Sequence, residues 1–131
     1  MEIQTKVLPL GGIGDLYSIV AKEINDDGGV FHLHLNPECI IYKAHFPEQP
    51  ITPGVCITQI AVELAEIVVG HSLQMIGIKN VKFLSILSPT TQTEVTYTII
   101  IKSSDDKETR IQAVAQSDDV VYAKMSLICK R

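Results

Sequence analysis

The 131-residue sequence contains no tryptophan, and aromatic residues of all kinds make up only 5% of it. A chain this poor in aromatic rings lacks the usual surface for stacking nucleic-acid bases or sugars. It also lacks a basic excess, because eleven Lys and Arg stand against fifteen Asp and Glu, giving a net charge of −4. Nucleic acid is therefore not an expected partner.

Cysteine is scarce as well. Cys39, Cys56 and Cys129 are widely spaced and form no CxxC pair, which argues against a disulfide framework or a structural zinc site and favours a reducing compartment. No stretch offers the ~20 apolar residues of a membrane span, and the first residues lack the pattern of a secretory signal. We expect one cytoplasmic domain over residues 1–131, without a membrane span and without a metal.

One segment is apolar at nearly every position. Residues 54–69 contain no proline, and Gly70 follows as a stop signal. A run of this length is typical of a helix rather than a strand, and a helix that is apolar all round is buried. The sequence therefore predicts a single long buried helix here.

Strand patterns surround this helix. Alternating or β-branched runs predict strands at 17–24, 30–35, 77–87, 93–102, 109–116 and 120–129, while 1–16 and 39–53 have irregular, proline- or glycine-interrupted patterns. Consecutive antiparallel strands make a sheet with one face to cover, and only this helix is available to cover it. The predicted class is α+β, with an antiparallel sheet wrapped around the helix. A second copy of the chain would cover what remains exposed.

The segment that leads into the helix is distinctive. His45-Phe46-Pro47, Pro50 and Pro53-Gly54-Val55 resemble, at matching spacing, the FabZ/FabA family of 3-hydroxyacyl-acyl-carrier-protein dehydratases, which have the hotdog fold. The run 80–83, with Pro89 beyond it, is similar to the strand that follows the helix in that family. The order of strands and helix matches over most of the chain.

This resemblance implies a site built around the start of the helix. The first N–H groups of a helix lack partners and carry the positive end of its dipole, so Gly54 and Val55 suit a thioester oxygen that gains negative charge. In the family the histidine, here His45, removes the α-proton, and an acid from the helix of the other subunit protonates the departing hydroxyl. Phe46 and Pro53 are expected beside the substrate. The resemblance implies no metal or redox cofactor.

The sequence departs from the family at the acid. The family's Glu or Asp lies fourteen positions after the histidine, where this chain has Gln59, and Glu63 stands one turn further on. Gln59, Glu63 and Glu66 share one helix face. Glu63 is either the working acid, an exposed helix acid or part of an interface ion pair. Gln59 either donates a hydrogen bond to the substrate or is a buried amide that forms its hydrogen bonds with the backbone.

Three functions are compatible with the sequence. The first is dehydration of a 3-hydroxyacyl thioester in fatty-acid or polyketide-type synthesis, carried on acyl carrier protein or coenzyme A. Lys43, Lys79 and Lys82 are candidates for docking the acidic carrier. The second is a non-catalytic subunit that completes the site of a related chain, so that the assembly is a homodimer, a heterodimer or a higher oligomer. The third is a thioesterase in which Glu63 activates water.

Two further residue patterns are expected to have a structural rather than a chemical role. His32 and His34 project from the same strand face, as a metal pair would require, but an ordinary partly exposed face is the expected explanation because no third ligand is evident. Cys56 at the start of the helix is expected to be a packing residue, with a reactive low-pKa thiol as the alternative.

Overall fold

The computed structural model describes residues 4–7, 15–44 and 48–131, which form seven strands and two helices. The strands are β1 (Gln4–Val7), β2 (Asp15–Asn25), β3 (Gly28–Leu35), β4 (Gln74–Phe83), β5 (Glu94–Ser104), β6 (Thr109–Ser117) and β7 (Val120–Lys130). The helices are α1 (Ile40–Ala44) and α2 (Gly54–Val69).

All seven strands belong to one antiparallel sheet in the order β1-β2-β3-β5-β6-β7-β4. The β2–β3 hairpin turns at the predicted place, where the Asn25 side-chain oxygen accepts a hydrogen bond from the Asp27 N–H at 2.8 Å. The strand that follows α2 pairs at the far end of the sheet, so β4 lies beside β7 as an edge strand.

The long helix is confirmed with the predicted bounds. Its buried residues join one hydrophobic core with side chains from the sheet, and α2 contacts β3, β4, β5 and β7. Gly70 ends the helix in the left-handed conformation, with φ of 81°, and its N–H donates to the Glu66 carbonyl oxygen at 2.8 Å. The predicted α+β architecture, a sheet wrapped around one long helix, is therefore confirmed.

The prediction that residues 39–53 are irregular is wrong at α1. The side-chain oxygen of Asn36 accepts from the Glu38 N–H at 3.0 Å, and the Asn36 carbonyl oxygen accepts from the Cys39 N–H at 3.1 Å. These bonds satisfy donors just before α1, which buries Ile41 and Tyr42 against the core.

The start of the chain also differs from the prediction. Residues 4–7 form β1, in which Lys6 is the register partner of Tyr17 on β2, so the irregular pattern predicted for 1–16 is wrong there. The glycine-rich stretch 11–14 lies outside the described residues.

Two strand ends are corrected too. β4 spans 74–83 instead of 77–87, because the N–H groups of Leu84 and Ser85 both turn to the Tyr122 carbonyl oxygen, at 2.8 and 3.4 Å. β5 continues through Ser103 and Ser104, which were predicted to break it, because both pair with β6. Among the described residues, no helix is long and apolar enough to cross a membrane.

Candidate active site at the helix start and the buried acid

The start of α2 is arranged as the sequence predicts. Pro53 is extended, with φ of −63° and ψ of 147°, and its carbonyl oxygen accepts from the Cys56 and Ile57 N–H groups at 3.0 and 3.1 Å. No side chain caps the helix. In the described part of the chain, the N–H groups of Gly54 and Val55 have no acceptor. N–H groups without a helical partner at the start of a helix suit an anionic oxygen.

A residue that the sequence analysis missed lies directly over Gly54. A Cβ added to Gly54 would come within 2.8 Å of Cζ of Phe83, at the end of β4. The Phe83 ring is 53% exposed and the neighbouring Val55 side chain is 60% exposed. Two apolar groups therefore border the exposed helix start, and only a glycine at 54 leaves room for the ring where it lies.

Glu63 is buried rather than displayed on the surface. It is 5% exposed, its Oε1 accepts a hydrogen bond from the Tyr17 hydroxyl at 2.8 Å, and its Oε2 accepts from Gln59 Nε2 at 3.3 Å. A carboxyl group in such a place is costly to bury without partners. The alternative of an exposed helix acid is therefore excluded, and Gln59 is satisfied by the Glu63 carboxyl rather than by backbone.

Tyr17 is the second residue that the sequence analysis missed. It lies on β2, 46 positions before Glu63, and is almost completely buried. Burial, and then the neighbouring Glu63, raises the pKa of the Tyr17 hydroxyl far above its usual range. Tyr17 consequently stays protonated and donates to Glu63. No local pattern links a strand tyrosine to a helix acid so far along the chain.

The third member of the polar helix face has a different role. Oε2 of Glu66 accepts a hydrogen bond from the Leu73 N–H at 2.8 Å and so ties the chain after α2 back to the helix. Glu66 thus stabilises the connection to β4. Of the three polar residues predicted on one face, Gln59 and Glu63 form a hydrogen-bonded pair.

His45 and Phe46 lie outside the described residues, so their predicted roles stay predictions. The chain on either side of them is fixed to the core. The Tyr42 hydroxyl and the Thr52 Oγ1 are 2.8 Å apart, and the Thr52 N–H donates to the Leu87 carbonyl oxygen at 2.8 Å. Burial raises the pKa of Tyr42 to about 12. Residues 42 and 52, one on each side of the stretch 45–47, are therefore in direct contact.

The other chemical candidates are accounted for by packing and surface contacts. Burial raises the pKa of the Cys56 thiol to about 11, so the low-pKa alternative is wrong and Cys56 is a packing residue. His32 and His34 are exposed, and Nδ1 of His32 lies 3.0 Å from Thr96 Oγ1. Within the described ranges, no group of three or more His, Cys, Asp or Glu could hold a metal ion.

Comparison with solved structures gives the class of the fold. The chain is similar to the dehydratase heterocomplex ApeI:P from Xenorhabdus doucetiae, with a TM-score of 0.73 and 19% identity over 86% of this chain and 96% of that one. It is also similar to a hypothetical thioesterase with coenzyme A from Streptococcus pneumoniae, with a TM-score of 0.64 and 8% identity over 86% and 83%. An uncharacterised protein from Erwinia carotovora matches with a TM-score of 0.59 and 19% identity over 86% and 92%. The fold is the hotdog fold.

The family follows from the sequence comparison. The model of the ApeI dehydratase matches residues 21–125, and the chain belongs to this ApeI-like family. No curated protein matches the chain. The resemblance drawn from the sequence is confirmed at the level of a hotdog dehydratase or thioesterase family, and the family that matches is ApeI-like rather than FabZ or FabA.

Proposed function

We propose that the protein dehydrates 3-hydroxyacyl thioesters, with Glu63 as the proton donor. Glu63 would replace the acid that the family pattern places at the position of Gln59. The observation that carries the proposal is the buried carboxyl of Glu63, hydrogen-bonded to Gln59 on one oxygen. A helix acid that is buried beside a second polar side chain, in a chain of a dehydratase family, has the chemistry of a positioned proton donor.

The proposed reaction is an elimination of water. His45 takes the proton from the carbon next to the thioester carbonyl, whose oxygen gains negative charge beside the N–H groups of Gly54 and Val55. The bond between the third carbon and its hydroxyl then breaks, and the hydroxyl leaves as water with the proton of Glu63. The product is the enoyl thioester. The proton on His45 returns to Glu63 through solvent, and no redox step occurs.

The length of the helix argues that two chains contribute to each site. Glu63 follows Gly54 by nine residues, which is ~13.5 Å along the axis, whereas the carbonyl and hydroxyl groups of one substrate are separated by two bonds. A glutamate side chain is too short to span that distance. The acid and the helix start that serve one substrate therefore belong to different chains, as the resemblance implies.

The free edge of β4 is suited to bring a second chain into place. β4 pairs only with β7 among the described strands, and its Ile76 and Ile78 are 53% and 55% exposed. An exposed apolar edge strand is a template for pairing with another strand. We propose a dimer through this edge, either of two identical chains or of this chain with a related hotdog chain. Light scattering of Ile78→Lys tests it, and a mass unchanged from the wild type would contradict it.

The heteromeric alternative has a specific observation in its favour. Both oxygens of Glu63 already accept hydrogen bonds within the chain. In a subunit that only completes a partner's site, Glu63 would stabilise the fold through these bonds and would not donate a proton to substrate. The solved ApeI:P dehydratase is itself a heterocomplex. In this alternative the purified chain has no activity until a related chain is added.

A basic surface bears on whether the substrate is carried on acyl carrier protein. This basic face is formed by exposed side chains on four neighbouring strands: Lys79, Lys82, Lys102, Arg110 and Lys124. Lys82 and Lys124 are direct register partners, and the other three line a shallow cavity of about 110 Å³. Such a concentration of positive charge on an acidic chain fits an acidic partner.

The carrier proposal has its own test. Lys82→Glu should raise KM for the carrier-bound substrate several-fold and leave KM for the coenzyme A substrate unchanged, because only the carrier contacts the basic face. Lys107→Glu, at the exposed turn between β5 and β6, is the control with the same change in charge. Equal effects on both substrates would refute docking at this face.

The central experiment incubates the purified chain with a 3-hydroxyacyl thioester and follows enoyl product and free thiol separately. His45→Ala and Glu63→Gln should each abolish enoyl formation, while Gln59→Ala should lower it. Glu66→Gln, on the same helix face, is the matched control, since Oε2 of Glu66 accepts from the Leu73 N–H and ties the chain after α2 to the helix. Free thiol without enoyl product would favour the thioesterase. No product from a folded chain would favour the heteromeric subunit.

A further inference from the structure

We propose that Tyr17 is a positioning residue that holds the Glu63 carboxyl against the sheet and keeps its Oε1 occupied as an acceptor. The proton that Glu63 delivers then resides on Oε2, on the side of Gln59. This inference deepens the proposed function and rests on it for the catalytic meaning of Glu63. The contact between the two side chains can be tested independently of activity.

The contact joins two elements that are far apart in the chain. Tyr17 lies on β2, between the neighbouring strands β1 and β3, and Glu63 lies in the middle of α2. The hydroxyl and Oε1 are 2.8 Å apart, and both side chains are buried. A short hydrogen bond to a carboxyl group is among the strong ones. It fixes the position of the carboxyl relative to the sheet as well as to the helix.

The Tyr17 hydroxyl is the donor of this hydrogen bond. Burial and then the charge of Glu63 raise the pKa of Tyr17 far above its usual range, with Tyr97 and Glu66 as the other titratable neighbours that act in the same sense. Tyr17 therefore keeps the proton that it donates to Oε1 of Glu63. A carboxyl oxygen that accepts a hydrogen bond from a hydroxyl is a poor place for the proton of the neutral acid, so we place that proton on Oε2.

Gln59 is suited to both states of the acid. Its Nε2 lies 3.3 Å from Oε2, where it donates to the ionised carboxylate. When Oε2 carries a proton, the amide of Gln59 can turn over and offer its oxygen instead, because the two ends of an amide have the same shape. Tyr17 thus holds Oε1 of Glu63 in place, and Gln59 contacts Oε2, the oxygen on which the proton is exchanged.

The test compares Tyr17→Phe with Tyr97→Phe. Tyr97 is an equally buried tyrosine whose hydroxyl donates to the Ile57 carbonyl oxygen of the same helix at 3.0 Å, and it makes no hydrogen bond with Glu63. Tyr17→Phe should lower kcat by ~10–100-fold, since a misplacement of the acid by ~1 Å costs about that much. KM should change by less than ~2-fold, and Tyr97→Phe should retain kcat within ~3-fold.

A shift of the pH profile separates positioning from a purely structural role. The Tyr17 hydroxyl stabilises the ionised form of Glu63, so its removal should let the acid stay protonated to higher pH. The limb of the kcat/KM profile that reports Glu63 should therefore move upward by ~1 pH unit in Tyr17→Phe and stay in place in Tyr97→Phe. Equal kcat and equal limbs in the two variants would overturn the proposal.

A double-mutant cycle with Glu63→Leu makes the result independent of the proposed function. If the two side chains interact as described, the effects of Tyr17→Phe and Glu63→Leu on the unfolding equilibrium in urea should deviate from additivity by at least ~5-fold. Additive effects would overturn the contact even if the enzyme were active. If the wild type had no dehydratase activity but the cycle showed coupling, the proposed function would fail and the contact would stand.

Discussion

Replacement of Gly54 by alanine should separate activity from stability. The added Cβ would lie 2.8 Å from Cζ, 3.1 Å from Cε2 and 3.4 Å from Cε1 of Phe83, where an ordinary carbon–carbon contact is about 3.5–4.0 Å. The ring therefore has to move by up to ~1 Å. It can do so, because it is half exposed and borders the solvent.

The two energetic effects of this substitution nearly cancel. A Phe side chain can bury about 200 Å², and exposing ~40 Å² more of it costs about 1 kcal/mol at ~25 cal/mol per Å². Replacing glycine by alanine in a helix stabilises the folded chain by ~0.5–1 kcal/mol, because alanine loses less backbone entropy on folding. The free energy of unfolding of Gly54→Ala should consequently stay within about 0.5 kcal/mol of the wild-type value.

Activity should respond very differently. The methyl group and the displaced ring occupy the approach to the N–H groups of Gly54 and Val55, where the thioester oxygen is proposed to bind. Loss of such a contact costs ~10²-fold or more in rate. We expect kcat/KM for the 3-hydroxyacyl thioester to fall by at least ~100-fold, measured as enoyl product.

Gly70→Ala, at the other end of the same helix, is a control in which stability should fall while activity is kept. Nothing lies within 4 Å of the Cβ that it would add, but its φ of 81° is strained for any residue with a side chain. It should lose ~1–2 kcal/mol in a urea titration followed by circular dichroism, and keep its activity. If Gly54→Ala retained kcat/KM within ~3-fold of the wild type, the start of α2 would not bind the substrate oxygen.

Three further predictions concern packing and ionisation. Gly28→Ala should destabilise the chain by about 2 kcal/mol or more in urea, because its Cβ would overlap the carbonyl oxygen of Ile99 on β5, which cannot move aside; a smaller loss would mean that the β3–β5 pairing is loose. Cys56 and Cys129 should resist a thiol reagent at pH 8 in the native protein and react in urea, because burial raises the pKa of each thiol to about 11. The free energy of unfolding should fall as the pH rises from about 9 to 12, since these thiols and the Tyr42 hydroxyl, whose pKa burial raises to about 12, ionise first in the unfolded chain; a flat profile would contradict the burial of all three.

The parts of the fold that the sequence predicts correctly are those with dense local patterns. The bounds of α2 follow from an almost uninterrupted apolar run and from the glycine that ends it. The end of β4 is different, because apolar residues continue beyond Phe83 while the backbone N–H groups of Leu84 and Ser85 turn to Tyr122. That departure depends on a carbonyl oxygen from β7, which no local window contains. β1 is missed for the same reason, since four residues become a strand only through pairing with β2.

The candidate site likewise has features that the sequence predicts and features that it does not. The helix start and the exchange of Gln59 and Glu63 can be read from spacing, because residues four apart share a helix face. The burial of Glu63 cannot be read in this way, because it depends on Tyr17, and the crowding of Gly54 depends on Phe83. Each of these partners comes from a strand, and only the wrapping of the sheet around α2 brings it to the helix.

The exchange of the two polar residues has a consequence for how the acid is held. In the family pattern the acid stands at the position of Gln59, nearer the start of the helix, whereas here the carboxyl lies one turn deeper, ~6 Å further along the axis. At that depth it is buried and bonded to β2, and Gln59 stands one turn nearer the start of α2. Gln59 donates to Oε2 of Glu63 and so helps to hold the carboxyl in place. For this reason we expect Gln59→Ala to impair dehydration even though an amide cannot donate the proton itself.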